Sequence, residues 1–158
     1  LDLVLIGMDL TEHHVEAAAV DLTGNGFQKI GEKRVADAAG HNADGIRYVA
    51  AQLEALDTDR IFAVMGFAKD KDLEAILRLL PKKIHYIFTR ASVDRARCVE
   101  DIAAVATTLG LDFECASTVG EAIARARSLA LATDTIFIGG SNFVIAEVTE
   151  IATKIGLD

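Results

Sequence analysis

A chain of 158 residues, 51% apolar and 25% charged with a single proline, is long enough to bury one domain core and too apolar for disorder. Its formal charge of −8 argues against a surface built to gather phosphodiester backbone, which needs clustered Lys and Arg, so no nucleic-acid partner is expected. Two cysteines, Cys98 and Cys115, carry no CxxC or Cys/His spacing and imply neither a disulfide framework nor a zinc site.

No apolar run reaches the ~20 residues of a membrane span, so no membrane partner is expected. The opening LDLVLIGM lacks a basic n-region and a cleavage pattern and is not read as a signal peptide. Reduced thiols then suit a cytoplasmic protein. The chain opens at Leu1 and not at Met, which leads to the expectation of a piece of something longer.

In chain order, Leu3 to Ile6 is strand-like and stops at Gly7. Thr11 can cap a helix from Glu12 to about Leu22, with Val15, Ala18, Ala19 and Leu22 on one stripe, broken by TGNG at 23–26. Phe27 to Ile30 and Lys33 to Ala39 are two short extended stretches at hairpin spacing about Gly31 and Glu32. A helix from about Asp44 to Leu56 places Ile46, Val49, Ala50 and Leu53 at helical spacing.

The order then becomes regular. Ile61 to Met65 is a continuous apolar run that suits a strand buried on both faces, and a helix from Lys71 to Leu80 ends at Pro81. Ile84 to Thr89 is the next strand, and Val99 to Leu109 the next helix, closed by Gly110 as a left-handed cap. Asp112 to Cys115 is a short strand, Thr118 with Glu121 forms a capping box for a helix to about Leu131, Thr135 to Ile138 is a buried strand, and Asn142 to Ile155 is the last helix. Strands alternating with helices mean right-handed crossovers and an α/β fold. The expected architecture is a three-layer α/β/α, Rossmann-like domain over residues 25–158, with a mostly parallel sheet of about six strands whose first strand is antiparallel to its neighbour.

Four loops leave the carboxyl ends of the strands and share one edge of such a sheet: AGHNADG at 39–45, GFAKDKD at 66–72, TRASVDRA at 89–96 and GGSNF at 139–143. Each has a plain reading. Asn42 can be a helix cap beside a surface His41; Asp70, Lys71 and Asp72 can be a solvated first turn; Thr89, Ser92 and Arg95 an ordinary polar loop; Gly139, Gly140 and Ser141 a tight turn. The functional reading gathers hydroxyls, cations and backbone donors around phosphate or carboxylate oxygens. Met8, Met65 and the Phe residues read as core filler. His13 and His14 point to different sides of a helix, and His85 reads as a satisfied, partly buried histidine. No metal ligand set is visible.

Together, DAAGHN at 37–42, GFAKDKD at 66–72, TRASVDRA at 89–96 and GGSNFVIAE at 139–147 resemble the C-terminal domain of the folylpolyglutamate synthases, within the larger Mur-type ligase group. The resemblance runs from Phe27 to about Ile151. It implies an enzyme in which ATP, with Mg2+, phosphorylates the γ-carboxylate of a folate and the amine of glutamate attacks the acyl phosphate to form an amide. By the same resemblance Asp37 and His41 are catalytic, Asp37, His41 and Asn42 face the nucleotide, and Lys71, Asp72, Thr89, Arg95 and Ser141 bind substrate. Leu1 to Gly24 would be the connecting end of a preceding ATPase domain, and that absent domain would be the partner that holds most of the ATP.

The sequence departs from the family in three places. Asp37 precedes His41 by four positions where the family spacing is one shorter; Gly26 stands where the family carries an arginine; and no GxxxxGK[ST] phosphate loop occurs. The isolated piece is therefore expected to show no turnover. The alternative from another class is a non-catalytic α/β regulatory or nucleotide-binding module that kept the loops for fold reasons. A hydrolase built on Ser141 and His41 is disfavoured, since GGSNF lacks the GxSxG elbow.

Overall fold

A computed structural model describes residues 4–10, 15–21, 28–34, 42–56, 58–131, 133–141 and 143–148. Four strands, β4 (Ile61–Met65), β5 (His85–Phe88), β6 (Asp112–Cys115) and β7 (Thr135–Gly139), form a parallel sheet in the order β6-β5-β4-β7. Three others, β1 (Val4–Leu10), β2 (Val15–Asp21) and β3 (Gln28–Arg34), form an antiparallel sheet in the order β1-β2-β3, with β1 lying against β7. The α/β class, with its mostly parallel sheet, is as expected; the parallel sheet has four strands and the antiparallel strands make a sheet of their own, where one sheet of about six was expected.

The parallel strands are apolar because both faces are covered. On one face Ile61, Ala63, Met65, Tyr86, Phe88 and Phe137 pack against Ile46, Val49 and Leu53 of α1 (Asn42–Glu54), Ile76 and Leu77 of α2 (Leu73–Arg78), and Ile102 and Ala106 of α3 (Val99–Leu109). On the other, Phe62, Val64, Ile87, Ile136 and Ile138 meet Val119, Ala122, Ile123 and Ala126 of α4 (Val119–Leu129), together with Val144 and Val148 of the helical segment 143–148. Burying each such side chain contributes about 1.5–3 kcal/mol, so the two faces together hold the sheet between its helices.

Local signals set several ends. Gly110 caps α3 at φ 71, and Thr118 Oγ1 accepts the Glu121 N–H at 3.1 Å to start α4. Helix α2 is shorter than the spacing predicted; at its amino end Asp72 accepts the Ala75 N–H at 3.2 Å and fixes the start two residues later, at Leu73. Of the last helix, 143–148 is described.

Two expectations fail near the amino end. The helix expected from Glu12 to Leu22 is strand β2, paired antiparallel on one side with β1 (Val4↔Asp21 to Leu10↔Val15) and on the other with β3. VEAAAVD has no strong preference, and two ladders that satisfy its backbone outweigh the helical tendency of its alanines. The hairpin expected about Gly31 and Glu32 is the single strand β3; Gly31 sits opposite Ala19, next to a register shift at Ala19/Val20. A glycine inside a strand marks an irregularity there, and the chain does not turn.

At the amino ends of β4 and β7 a buried acid ties the strands together. Asp134 accepts from Arg60 Nη2 at 2.8 Å, from Arg60 Nε at 3.3 Å and from the Leu131 N–H at 2.8 Å. Burial pushes its carboxyl up, but the Arg60 and Leu131 hydrogen bonds outweigh burial and leave it below the usual carboxylate range. A depressed carboxyl contributes stability above its unfolded value, about 3.9, and loses it as pH falls through the folded value. Asp134→Asn should therefore melt below wild type at neutral pH by about 1–2 kcal/mol, Arg60 being half exposed, and the gap should begin to narrow below about pH 4 and close as pH falls through the lower folded value.

Candidate functional site

The chain steps from β4 to β5 to β6 in one direction and then returns to β7 on the other side of β4. That reversal puts a crevice at the carboxyl ends of β4 and β7, where the loops that follow the two strands part. The floor is backbone against backbone. Gly66 donates its N–H to Gly139 O at 3.3 Å, and Gly140, at φ 97, lies so close that a Cβ there would come within 2.4 Å of Gly66 O. Gly66 is equally confined, its own Cβ position being 2.9 Å from Thr89 O and from Val144 Cγ2.

Above this floor opens a cleft of about 300 Å³, lined by Ala68, Asp70, Lys71, Arg95, Gly140, Ser141 and Phe143. Lys71, Arg95 and Ser141, far apart in sequence, are thus brought together as expected. The Arg95 guanidinium stands 5.7 Å from the Phe143 ring centroid, and Ser141 Oγ accepts the Val144 N–H at 3.4 Å. Asp70 is the one carboxylate among the lining residues. Two cations, a hydroxyl and one acid suit a small ligand rich in carboxylate oxygens.

Those of the other expected residues that are described do not line this cleft. Asp72 caps α2. Thr89 is fully buried behind Gly66, its N–H bonded to Met65 O at 2.9 Å and its Oγ1 without a hydrogen-bond partner. Asn42 is the first residue of α1, and Asp37 and His41 lie outside the described residues. Among the described residues no group of three or more His, Cys, Asp or Glu converges to hold a metal, so the donors present fit an anion and supply no carboxylate set for Mg2+.

Sequence reasoning missed what braces the cleft. Segments 66–72 and 89–97 are stitched by Lys69 N–H to Arg95 O and Arg97 N–H to Phe67 O, both at 2.8 Å, around an Ala68–Ala96 bridge. The Ser92 N–H donates to Glu147 Oε1 in the helical segment 143–148. The available signal was RAR at 95–97, which repeats a basic residue at period two.

A second cleft, of about 320 Å³, opens at the amino ends of the strands between Arg60, Phe62, Lys83, His85, Asp112 and Glu114. Slightly larger, it is the weaker candidate, because most of its charges satisfy one another. His85 Nδ1 lies 3.1 Å from Asp112 Oδ2 and its Nε2 2.9 Å from Glu114 Oε2. Arg125 also binds Glu114 and, more than any other partner, holds that carboxyl below its ordinary range. His85 is thus the satisfied, partly buried histidine expected. Cys98 and Cys115 are both free thiols.

Residues 27–142 match the family described as Mur ligase, glutamate ligase domain. The chain belongs to that family. Among curated proteins it is 30% identical over 115 residues to a probable bifunctional folylpolyglutamate synthase/dihydropteroate synthase of Haloferax volcanii, covering 72% of this chain and 14% of that one. It is 24% identical over 137 residues to the dihydrofolate synthase/folylpolyglutamate synthase of Buchnera aphidicola subsp. Schizaphis graminum, covering 85% and 32%. Among solved structures it is similar to E. coli FolC in complex with DHPP and ADP, at 25% identity and TM-score 0.64 over 82% of this chain and 31% of that one. It is also similar to Mycobacterium tuberculosis folylpolyglutamate synthase complexed with ADP, at 26% identity and TM-score 0.61 over 75% and 29%. The chain therefore spans about a third or less of these relatives' length. Among its described residues no helix is long and apolar enough to cross a membrane.

Proposed function

We propose that this domain binds L-glutamate in the cleft of Lys71, Arg95 and Ser141 and belongs to a cytoplasmic, ATP-dependent folylpolyglutamate synthase. The observation that carries this is the convergence of those three residues over the Gly66/Gly140 floor, in a chain whose curated relatives are named for that synthesis. The two cations draw the α-carboxylate and side-chain carboxylate of glutamate, and Ser141 and Asp70 offer acceptors to its amine. Held there and deprotonated, the amine attacks the carbonyl carbon of an acyl phosphate presented from across the cleft, and the amide forms as the carbon–oxygen bond to phosphate breaks and inorganic phosphate leaves. Positive charge fixed at the rim stabilises the charge that develops in that step.

The ATP that makes the acyl phosphate, and its Mg2+, are assigned to a preceding ATPase domain, with Asp37, His41 and Asn42 facing the nucleotide from this side and Asp37 and His41 acting in the chemistry. Residues 1–24 then connect the two domains. The full-length protein should incorporate radiolabelled L-glutamate into a reduced folate only when ATP and Mg2+ are present; no incorporation under those conditions overturns the reading. The 158-residue chain alone should incorporate none, and ATP-dependent incorporation by it would refute the need for a second domain.

A further inference from the structure

The proposed ligand-binding cations, Lys71 and Arg95, sit on two separate segments, and a pocket that must hold them at a fixed spacing needs something across the gap. Arg97 is placed to supply it. Its Nη2 donates to Lys69 O at 2.6 Å and to Lys71 O at 2.8 Å, while its own backbone N–H donates to Phe67 O. One residue on the 89–97 segment therefore grips three carbonyls of the 66–72 segment, two through its side chain and one through its backbone. The side chain is 21% exposed and Asp101 Oδ2 stands 4.0 Å from Nη1, so the charge is partly balanced on the side away from the two carbonyls. Arg97 does not line the cleft.

We infer that Arg97 is a positioning residue: one amino group of its guanidinium, Nη2, clamps the backbone at Lys69 and Lys71 and so sets the distance between the Lys71 and Arg95 side chains across the cleft. This rests on the proposal that the cleft takes glutamate, but the clamp itself can be read without any ligand. The guanidinium is planar and always charged, and a lysine ammonium on a flexible stem would hold the same two carbonyls less rigidly.

The test has two arms. In the 158-residue chain, Arg97→Met should speed hydrogen exchange of the Lys69 and Arg97 amides, which form the ladder between the segments, by at least about tenfold, while the amides of Val64 and Ile87 in the sheet keep wild-type rates. In the full-length protein the same substitution should raise the KM for L-glutamate by about tenfold or more and leave the KM for ATP unchanged. Arg97→Lys should recover part of both effects, because one hydrogen bond to a carbonyl survives. Unchanged exchange at Lys69 and Arg97 overturns the clamp, and a wild-type glutamate KM with loosened amides overturns the positioning role. A wild-type protein that incorporates no glutamate refutes the functional reading instead, and the exchange arm then decides the clamp alone.

Discussion

Gly140→Ala is expected to lower stability by about 2–4 kcal/mol, roughly 5–15 °C in melting temperature for a domain of this size. Two costs add. The residue sits at φ 97, where an L side chain is strained, and the new Cβ would lie 2.4 Å from Gly66 O and 3.2 Å from Gly66 N. Neither neighbour can yield, since both atoms are backbone and Gly66 is itself boxed in by Thr89 O and Val144. Relief requires β4 and β7 to part at their carboxyl ends, which opens the floor of the cleft. Gly110→Ala is the internal control. It has a similar left-handed φ of 71 but nothing within 4 Å of its Cβ position, so it should cost only about 1 kcal/mol. Urea denaturation of the two variants separates strain from collision. Equal losses would show that Gly140 matters for its dihedral alone, and that the approach of β4 and β7 is not what shapes the site.

The contrast between these glycines also shows what a sequence can and cannot display. Gly110 was legible because its cause is local: a helix ends, and the next residue turns left-handed. For the same reason α3 and β6 fall where pattern and caps put them, with Val99–Leu109 and Asp112–Cys115 as read. Gly140 looked like a turn glycine, and its real constraint is a strand neighbour contributed by a distant segment. Strand β2 was misread on the same grounds, its fate being decided by partners on both sides. Arg97 was invisible because carbonyl oxygens are its partners, and every residue has one. The loops that converge were found through their chemistry. Thr89 carried the right chemistry but lies beneath the floor, since a hydroxyl in a loop reads alike whether it faces the cleft or the core.

Removing the cleft's positive charge should have the largest effect on function. In the full-length protein, Arg95→Ala is expected to raise the KM for L-glutamate about 30- to 100-fold, the equivalent of losing a charge-assisted hydrogen bond of about 2–3 kcal/mol, with the KM for ATP and for folate unmoved. Lys71→Ala should act in the same direction, and the double variant should fall short of the product of the two, because both cations serve one ligand. Arg95 is exposed, so its part should weaken as ionic strength rises and the Debye length shrinks toward about 3 Å at 1 M salt. Arg95→Lys keeps the charge but loses the planar fork and its packing over Phe143, and should lie between. Ser141→Ala removes an oxygen that accepts the Val144 N–H at 3.4 Å as well as a ligand contact, so a smaller rise in KM is expected with a stability loss of about 1 kcal/mol. These outcomes separate a ligase from a module that kept its loops for the fold. A module has no glutamate KM to change, and a double variant of Lys71 and Arg95 that turns over glutamate like wild type would remove the cleft from the reaction altogether.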